Sequence, residues 1–241
     1  VIYDRSHSAI SELQAGSIPW HDVFDGVTWF HWTGITPALR AGAADCVREA
    51  IHAARRAGVR VSVDLNYRKK LWTEREAQQT MRPLVSNVDL VIANEEDLQA
   101  VLGIEVRDAD VTTGALAIDG YREAAARVAS EYGVPLVAVT LRESLSASDN
   151  AWSGVLFDAS TRVFHQSQRY VVRLVDRIGG GDSFAAGLIS GCVSGRDRES
   201  ALRFAVAASA LKQTIPGDFN HVSVAEVERL VAGDASGRVQ R

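Results

Sequence analysis

The sequence predicts an α/β protein with a mostly parallel central sheet and helices on both of its faces. The chain has 241 residues, of which 46% are hydrophobic and 23% are charged, an ordinary balance for a globular domain. Short apolar segments of strand type alternate with longer segments of helical periodicity, the order that produces parallel β-α-β units. The strand segments are almost continuously apolar, as buried parallel strands are. We therefore expect a single domain over residues 1–241.

The predicted elements follow one another along almost the whole chain. Strands are expected at 27–32, 59–65, 89–93, 135–141 and 170–175. A hairpin of 152–157 and 162–165 is expected to be the one antiparallel interruption. Helices are expected at 37–57, 74–85, 95–102, 121–132, 181–193, 197–212 and 224–231. Gly58, Gly103 and Gly133 follow three of these helices, where glycine commonly ends a helix.

Composition argues against several classes of function. A net charge of -4 argues against a nucleic-acid-binding protein, which usually has a basic face. No apolar run approaches the ~18 residues of a membrane span, so a cytoplasmic protein without nucleic-acid or membrane partners is expected.

The two cysteines, Cys46 and Cys192, lie far apart and are expected to be reduced thiols. The chain opens on Val1 rather than Met, inside a predicted strand, and we expect an N-terminal segment to be missing from it.

A run of three glycines before the helix at 181–193 is the strongest chemical signal. The segment reads Asp-Arg-Ile-Gly-Gly-Gly-Asp-Ser-Phe over residues 176–184. Glycine loses more conformational entropy on folding than other residues, so a retained run indicates a backbone that needs its freedom. Successive N–H groups of Gly179, Gly180 and Gly181 can then point to one spot at a helix N-terminus, where the helix dipole favours an anion. The pattern predicts an anion hole suited to a phosphoryl group in transfer.

Asp182 follows the glycines in the first turn of the same helix. Its carboxylate can accept a proton from an attacking hydroxyl group and act as a general base. It can equally be an N-terminal helix cap, and spacing alone does not separate the two interpretations. Other phosphate-binding patterns are absent, because the sequence has no GxxxxGK[ST] element and Phe184 interrupts a GxGxxG pattern.

The segment from Asp176 to Asp182 resembles the C-terminal signature of the PfkB, or ribokinase-like, carbohydrate kinases. That signature reads Asp-Thr-x-Gly-Ala-Gly-Asp, and here Arg177 replaces the Thr and Gly180 the Ala. This variant looks like the 2-keto-3-deoxygluconate kinase branch, and the resemblance extends over residues 3–223. It implies a ribokinase-like fold, here with the N-terminal lid region largely absent. It also implies that Asp182 is the catalytic base and that Gly179 and Gly181 contact the nucleotide phosphates.

The resemblance implies roles for residues outside the signature. Tyr3 and Arg5 match a family segment that faces the substrate. Asn66 and Arg68 follow a predicted strand, where open α/β sheets bind ligands. In the family, this Asn and this Arg lie near the triphosphate and the substrate carboxylate. For Arg68 taken alone, a surface arginine in a loop is the simpler interpretation.

Further family elements lie in the middle and at the end of the chain. Asn94 and Asp97 resemble an Asn-x-x-Glu element that orders Mg²⁺ and phosphates through water; the shorter Asp97 is a departure from it. An ordinary helix start is the alternative for both residues. Thr140 and Arg142 follow a predicted strand at a place where the family contacts nucleotide. Asp218 resembles a substrate contact of this branch, with a simple turn aspartate as the alternative.

Together these residues predict an ATP- and Mg²⁺-dependent kinase for the terminal hydroxyl of 2-keto-3-deoxygluconate or a closely related 2-keto-3-deoxy sugar acid. Two alternatives remain open. A kinase for a neutral sugar such as fructose or ribose would not need Arg68 for a carboxylate, and a nucleotide- or sugar-binding protein without catalysis would not need Asp182. In the family the N-terminal lid often supplies the dimer interface, so a homo-oligomer through that missing part is a further expectation.

Overall fold

A computed structural model describes residues 7–107 and 118–233 of the chain. Tyr3 and Arg5 lie outside the described residues. The described residues form two compact units: one holds 7–107, 119–139 and 157–163, and the other holds 140–156 and 164–233. Within these ranges, no helix combines the length and the apolar character needed to cross a membrane. Cys46 and Cys192 are both buried and free.

Parallel strands form the centre of the first unit. Strands β1 (Trp29–Thr33), β2 (Arg60–Asp64), β3 (Leu90–Ala93) and β4 (Leu136–Ser144) are neighbours in that order, and each successive pair is parallel. Their apolar side chains lie in the core; Val61, Val63, Leu90, Val91 and Val137 are fully buried. The expected α/β class with a mostly parallel sheet is confirmed for these strands.

Helices connect the strands of the first unit. They are α1 (Trp20–Val23), α2 (Ile35–Leu39), α3 (Ala41–Arg56), α4 (Glu74–Val85), α5 (Glu95–Asp97) and α6 (Ile118–Tyr132). The single helix expected at 37–57 is wrong, because Arg40 is extended at φ -163° and ψ 161° and separates α2 from α3. Apolar periodicity missed this break because small and apolar residues continue on both sides of it. The helix expected at 95–102 begins as α5 and continues as a π-type turn over Leu98–Leu102.

The second unit begins within β4, which turns back into β5 (Asp149–Asp158). The N–H groups of Leu145 and Ser146 both donate to the carbonyl of Asp149, at 3.0 Å. Strand β6 (Val163–Gln166) is the other neighbour of β5, and β7 (Tyr170–Arg173) pairs with β5 in antiparallel orientation. The expected hairpin corresponds to the neighbouring strands β5 and β6, but the expectation that it is the one antiparallel interruption is wrong, because β7 also pairs with β5. Which strand β7 pairs with depends on contacts distant in sequence, so local patterning did not reveal it.

Three helices complete the second unit: α7 (Gly180–Val193), α8 (Arg198–Lys212) and α9 (Val224–Val231). Helices α7 and α8 cross at small residues. A Cβ on Gly187 would lie 2.9 Å from the Cα of Ala205, and one on Gly191 would lie 2.8 Å from the Cβ of Ala201. The start of α7 is also fixed to α8, because the Ser209 hydroxyl donates to the Gly180 carbonyl at 2.7 Å.

Candidate active site

The loop over residues 176–179, called the glycine loop below, precedes α7 and has an unusual backbone at one position. Gly179 has a left-handed backbone at φ 79°, and a Cβ there would lie 2.2 Å from the carbonyl oxygen of Asp218. An L-amino acid with a side chain is disfavoured at this φ, and the contact would exclude it. Gly180 and Gly181 are the first two residues of α7 and have no positive φ. The expectation that all three glycines need special backbone freedom is therefore wrong.

The N-terminus of α7 presents N–H groups that the protein itself leaves unused. The Gly180 N–H donates to the Arg177 carbonyl at 3.2 Å, and the Ser183 N–H donates to Gly179 at 2.9 Å. Within the described residues, the N–H groups of Gly179, Gly181 and Asp182 have no acceptor. Unpaired N–H groups at a helix N-terminus form an anion site, which the helix dipole reinforces. This geometry supports an anion hole. The N–H of Gly180, which was expected to take part, is already hydrogen-bonded, and the N–H of Asp182 takes part instead.

Asp182 is exposed at the third position of α7. The N-cap position belongs to Gly179, which makes no side-chain cap. The carboxylate of Asp182 accepts no hydrogen bond from the described residues, so the helix-cap interpretation does not match this structure. The side chain is thus available to a ligand, as a general base must be.

A cavity of about 400 Å³ opens beside this carboxylate. Gly179, Asp182 and Asp218 line part of it, and Phe204, Ala208, Val222 and Val227 are among its apolar lining residues. Asp218 is exposed. The structure therefore brings the predicted Gly179, Asp182 and Asp218 together in one place, next to an apolar surface.

Asp176 joins the glycine loop to the turn that follows α8. Its carboxylate accepts hydrogen bonds from the N–H groups of Ile178 and Gly217, each at 3.0 Å. The hydrogen bond from Ile178, ahead of that from Gly217, holds the pKa of Asp176 below its usual range. Asp176 was matched to the family signature but not predicted as a site residue, since the Gly217 partner is distant in sequence. It fixes the loop that carries Gly179.

In the first unit, Asp97 ties together the loops that follow β2 and β3. Its buried carboxylate accepts from the N–H of Tyr67 at 2.8 Å and from the N–H of Asn94 at 3.2 Å. The Asn94 side chain accepts in return from the Asp97 N–H at 2.8 Å. This reciprocal pair is a capping box, so the helix-start interpretation describes the geometry of both residues. It also holds Asn94 at the end of β3, next to the loop of Arg68.

Asn66 and Arg68 lie in the loop after β2. Asn66 has a left-handed backbone at φ 42°, and its side-chain amide donates to the Thr33 hydroxyl at 3.2 Å. A non-glycine residue in this region is uncommon, and such conformations cluster at functional sites. Arg68 is exposed, and its guanidinium lies 3.5 Å from the Tyr67 carbonyl. The structure thus brings Asn66, Arg68 and Asp97 together at the carboxyl ends of parallel strands.

Thr140 and Arg142 lie inside β4, which is longer than expected, rather than after it. Arg142 is exposed, and the neighbouring Glu143 is buried. Glu143 forms a two-pronged ion pair with Arg169, at 2.9 and 3.0 Å. This ion pair stabilises the C-terminal end of β4, and the strand extends past its predicted end at residue 141 to include Arg142.

The buried Asp97 predicts a pH dependence of stability. Burial raises its pKa from 3.8 to about 6, against the opposing effect of the hydrogen bonds from Tyr67 and Asn94. Because the folded state binds this proton more tightly than the unfolded state, the contribution is fully present below the unfolded pKa and is lost as the pH rises through about 6. At about 1.4 kcal/mol per pKa unit, this loss is about 3 kcal/mol.

Replacing Asp97 by Asn should remove this part of the pH dependence. We expect the free energy of unfolding to fall less between about pH 4 and about pH 7 in Asp97→Asn than in the parent, because the amide does not titrate. Urea unfolding across this range measures it. Glu105→Gln, at an exposed position that is not among the groups acting on the pKa of Asp97, is the matched control and should retain the parent slope. Equal slopes in Asp97→Asn and the parent would contradict the assignment.

A family profile of carbohydrate kinases and two sequence relatives that are kinases match this chain. The profile of the pfkB family of carbohydrate kinases matches residues 20–222. The chain is 32% identical to the 2-dehydro-3-deoxygalactonokinase of Haloferax volcanii and 28% identical to the 2-dehydro-3-deoxygluconokinase of Bacillus subtilis, over 98% and 94% of its own length. It spans 67% and 62% of the length of these two relatives.

Among solved structures, the chain resembles the 2-dehydro-3-deoxygluconokinase of Thermotoga maritima. The two are 45% identical with a TM-score of 0.89, over 96% of this chain and 68% of the other. This similarity confirms the ribokinase-like α/β fold expected from the sequence.

Proposed function

Because the chain belongs to the pfkB family of carbohydrate kinases, we propose that it carries the catalytic part of an ATP-dependent kinase for 2-keto-3-deoxygluconate, also called 2-dehydro-3-deoxygluconate, or a closely related sugar acid. One observation carries the proposal. An exposed carboxylate, that of Asp182, stands beside the unused N–H groups at the start of α7. A base next to an anion hole is what phosphoryl transfer to a hydroxyl group requires.

The reaction then uses the residues of the second unit as follows. The terminal hydroxyl of the sugar acid gives its proton to the Asp182 carboxylate as its oxygen bonds to the γ-phosphorus of ATP. The bond from that phosphorus to the bridging oxygen breaks, and ADP leaves with the electron pair. The N–H groups of Gly179, Gly181 and Asp182 stabilise the negative charge on the transferred group. The apolar part of the cavity, at Phe204 and Val227, suits the base of the nucleotide.

Magnesium is proposed to arrive with ATP rather than to be held in a protein cage. Within the described residues, no group of three or more His, Cys, Asp or Glu side chains could hold a metal ion. Mg²⁺ keeps several of its waters and is usually bound by substrate phosphates with one or two carboxylates. Both oxygens of Asp97 already accept backbone N–H groups, which fits contact through water by Asn94 and Asp97. When bound, the ion would neutralise phosphate charge.

The preference for a sugar acid rests on Arg68, which is exposed in the loop after β2, together with Arg5 as the resemblance implies. A guanidinium group pairs bidentately with a carboxylate. Asp218 is proposed to contact the same substrate, and Asn66, Thr140 and Arg142 to contact the nucleotide. A cytoplasmic location and a homo-oligomer remain predictions.

The substrate class is tested first on the complete protein. ATP consumption is measured with a panel of 2-keto-3-deoxy sugar acids, fructose and ribose. We expect the sugar acids to have the highest kcat/KM. A higher value for a neutral sugar would overturn the substrate assignment, and no ATP turnover with any acceptor would favour a binding protein.

Arg68→Ala should lower kcat/KM for the sugar acid by roughly 10–100-fold, because a hydrogen bond to a charged group is worth about 1.5–3 kcal/mol. A neutral sugar has no carboxylate, so its already lower kcat/KM should fall much less. The measurement is kcat/KM for both substrates in parent and variant. Equal losses for both would show that Arg68 serves ATP or the fold instead.

A further inference from the structure

Lys212, the last residue of α8, is a fully buried lysine that the reaction above does not use. Its ammonium group donates to the carbonyl of Ile215 at 3.3 Å, within the turn that follows the helix. A buried ammonium group is costly unless other groups compensate for its lost hydration. A lysine retained in such a position therefore calls for an explanation.

The side chain of Lys212 packs against the glycine loop. Its Cε is 3.2 Å from the place where a Cβ on Gly179 would stand. It also acts electrostatically on Asp176, the carboxylate that joins the loop to Gly217. The ammonium group thus lies between the glycine loop and the turn over residues 213–217, the two segments that Asp176 links.

The charge of Lys212 is not neutralised by an ion pair. Within the described residues, no carboxylate oxygen lies within 4.0 Å of its nitrogen. Of its three N–H donors, one has an acceptor there, the Ile215 carbonyl. A purely structural buried lysine would normally be paired. Here two N–H donors of a buried ammonium group have no acceptor within the described residues.

We propose that Lys212 is a positioning residue for phosphoryl transfer. Its buried ammonium group braces the turn 213–217 against the glycine loop and adds positive potential behind the N–H groups of Gly179 and Gly181. The inference rests on the proposed function, since it presumes that these N–H groups receive the transferring phosphoryl group. That group gains negative charge beside them in the transition state, so a fixed positive charge behind the loop should act mainly on kcat.

The test compares Lys212→Met with the parent in the complete protein. Methionine keeps a long unbranched side chain and removes the charge. We expect kcat with ATP and the sugar acid to fall ~10–100-fold, with both KM values within about threefold of the parent, as for loss of a charged interaction made in the transition state. Arg229→Met removes one positive charge from the exposed face of α9 and should leave kcat unchanged. A Lys212→Met kcat within about threefold of the parent, or a fall no greater than the loss of folded protein seen by circular dichroism, would overturn the proposal.

A second measurement does not depend on turnover. Hydrogen–deuterium exchange at the hydrogen-bonded amides of Gly180, Ser183 and Gly217 should be faster in Lys212→Met than in Arg229→Met, because the support from Lys212 is lost. Equal exchange would overturn the bracing role. Failure of the proposed function would appear differently, as a parent protein without ATP turnover while the exchange difference persists.

Discussion

Replacing Asp182 by Asn should lower kcat by ~10²–10⁴-fold, the usual cost of losing a general base. Asparagine has nearly the shape of aspartate but does not take the proton of the attacking hydroxyl group. ATP affinity should stay within about threefold of the parent, because the N–H groups that meet the phosphates belong to the backbone. The side chain is exposed, so the fold should tolerate the change. Steady-state kinetics and calorimetric titration of ATP on the same preparations measure both quantities.

Asp218→Asn is the matched comparison, since both carboxylates line the same cavity. As a substrate contact, Asp218 should affect KM for the sugar acid more than kcat. If Asp218→Asn lowers kcat more than Asp182→Asn does, the base has been assigned to the wrong carboxylate. A kcat for Asp182→Asn within about threefold of the parent would exclude it as the base altogether.

Gly179→Ala should abolish most of the activity, by about 100-fold or more, a loss comparable to that of an anion-hole donor. The added Cβ would lie 2.2 Å from the Asp218 carbonyl oxygen, a contact that no Cβ can make. Either the glycine loop or the segment of Asp218 must move, and both line the cavity beside Asp182. Kinetics and thermal unfolding of parent and variant give the loss of activity and its structural cost.

Gly195→Ala separates this contact from the cost of backbone conformation. Gly195 has nearly the same φ, 76° against 79° at Gly179, but a Cβ there would meet nothing within 4 Å. Both variants carry the left-handed penalty of about 1–2 kcal/mol in stability. Only Gly179→Ala should lose kcat, and similar activity in the two variants would show that the glycine loop does not shape the site.

Local sequence was enough to predict the centre of the candidate site. Gly179 and Asp182 are close in sequence, so a single turn is enough to place backbone N–H groups and a carboxylate next to each other. The role of Asp176 in joining Ile178 to Gly217 depends on a partner 41 residues away. Nothing in the local pattern around Asp176 reports such a contact.

The burial of Lys212 was equally hidden. In the sequence it ends a helix, where lysine commonly faces solvent and complements the helix dipole. The preceding run Ala-Ala-Ser-Ala-Leu at 207–211 is the signal that could have shown a buried helix end. The break at Arg40 and the pairing of β7 with β5 were missed for a related reason, because tertiary packing rather than local propensity decides them.

The crossing of α7 and α8 at Gly187 and Gly191 restricts how this protein can diverge. The start of α7 is hydrogen-bonded to α8 near its C-terminal end, so a bulkier residue at either glycine would separate the helices and move Gly179 away from Lys212. Larger residues at these two positions would therefore lower the activity even though every residue of the candidate site is unchanged. An accepted change there would have to be offset at Ala205 or Ala201, so each facing pair is expected to be inherited together.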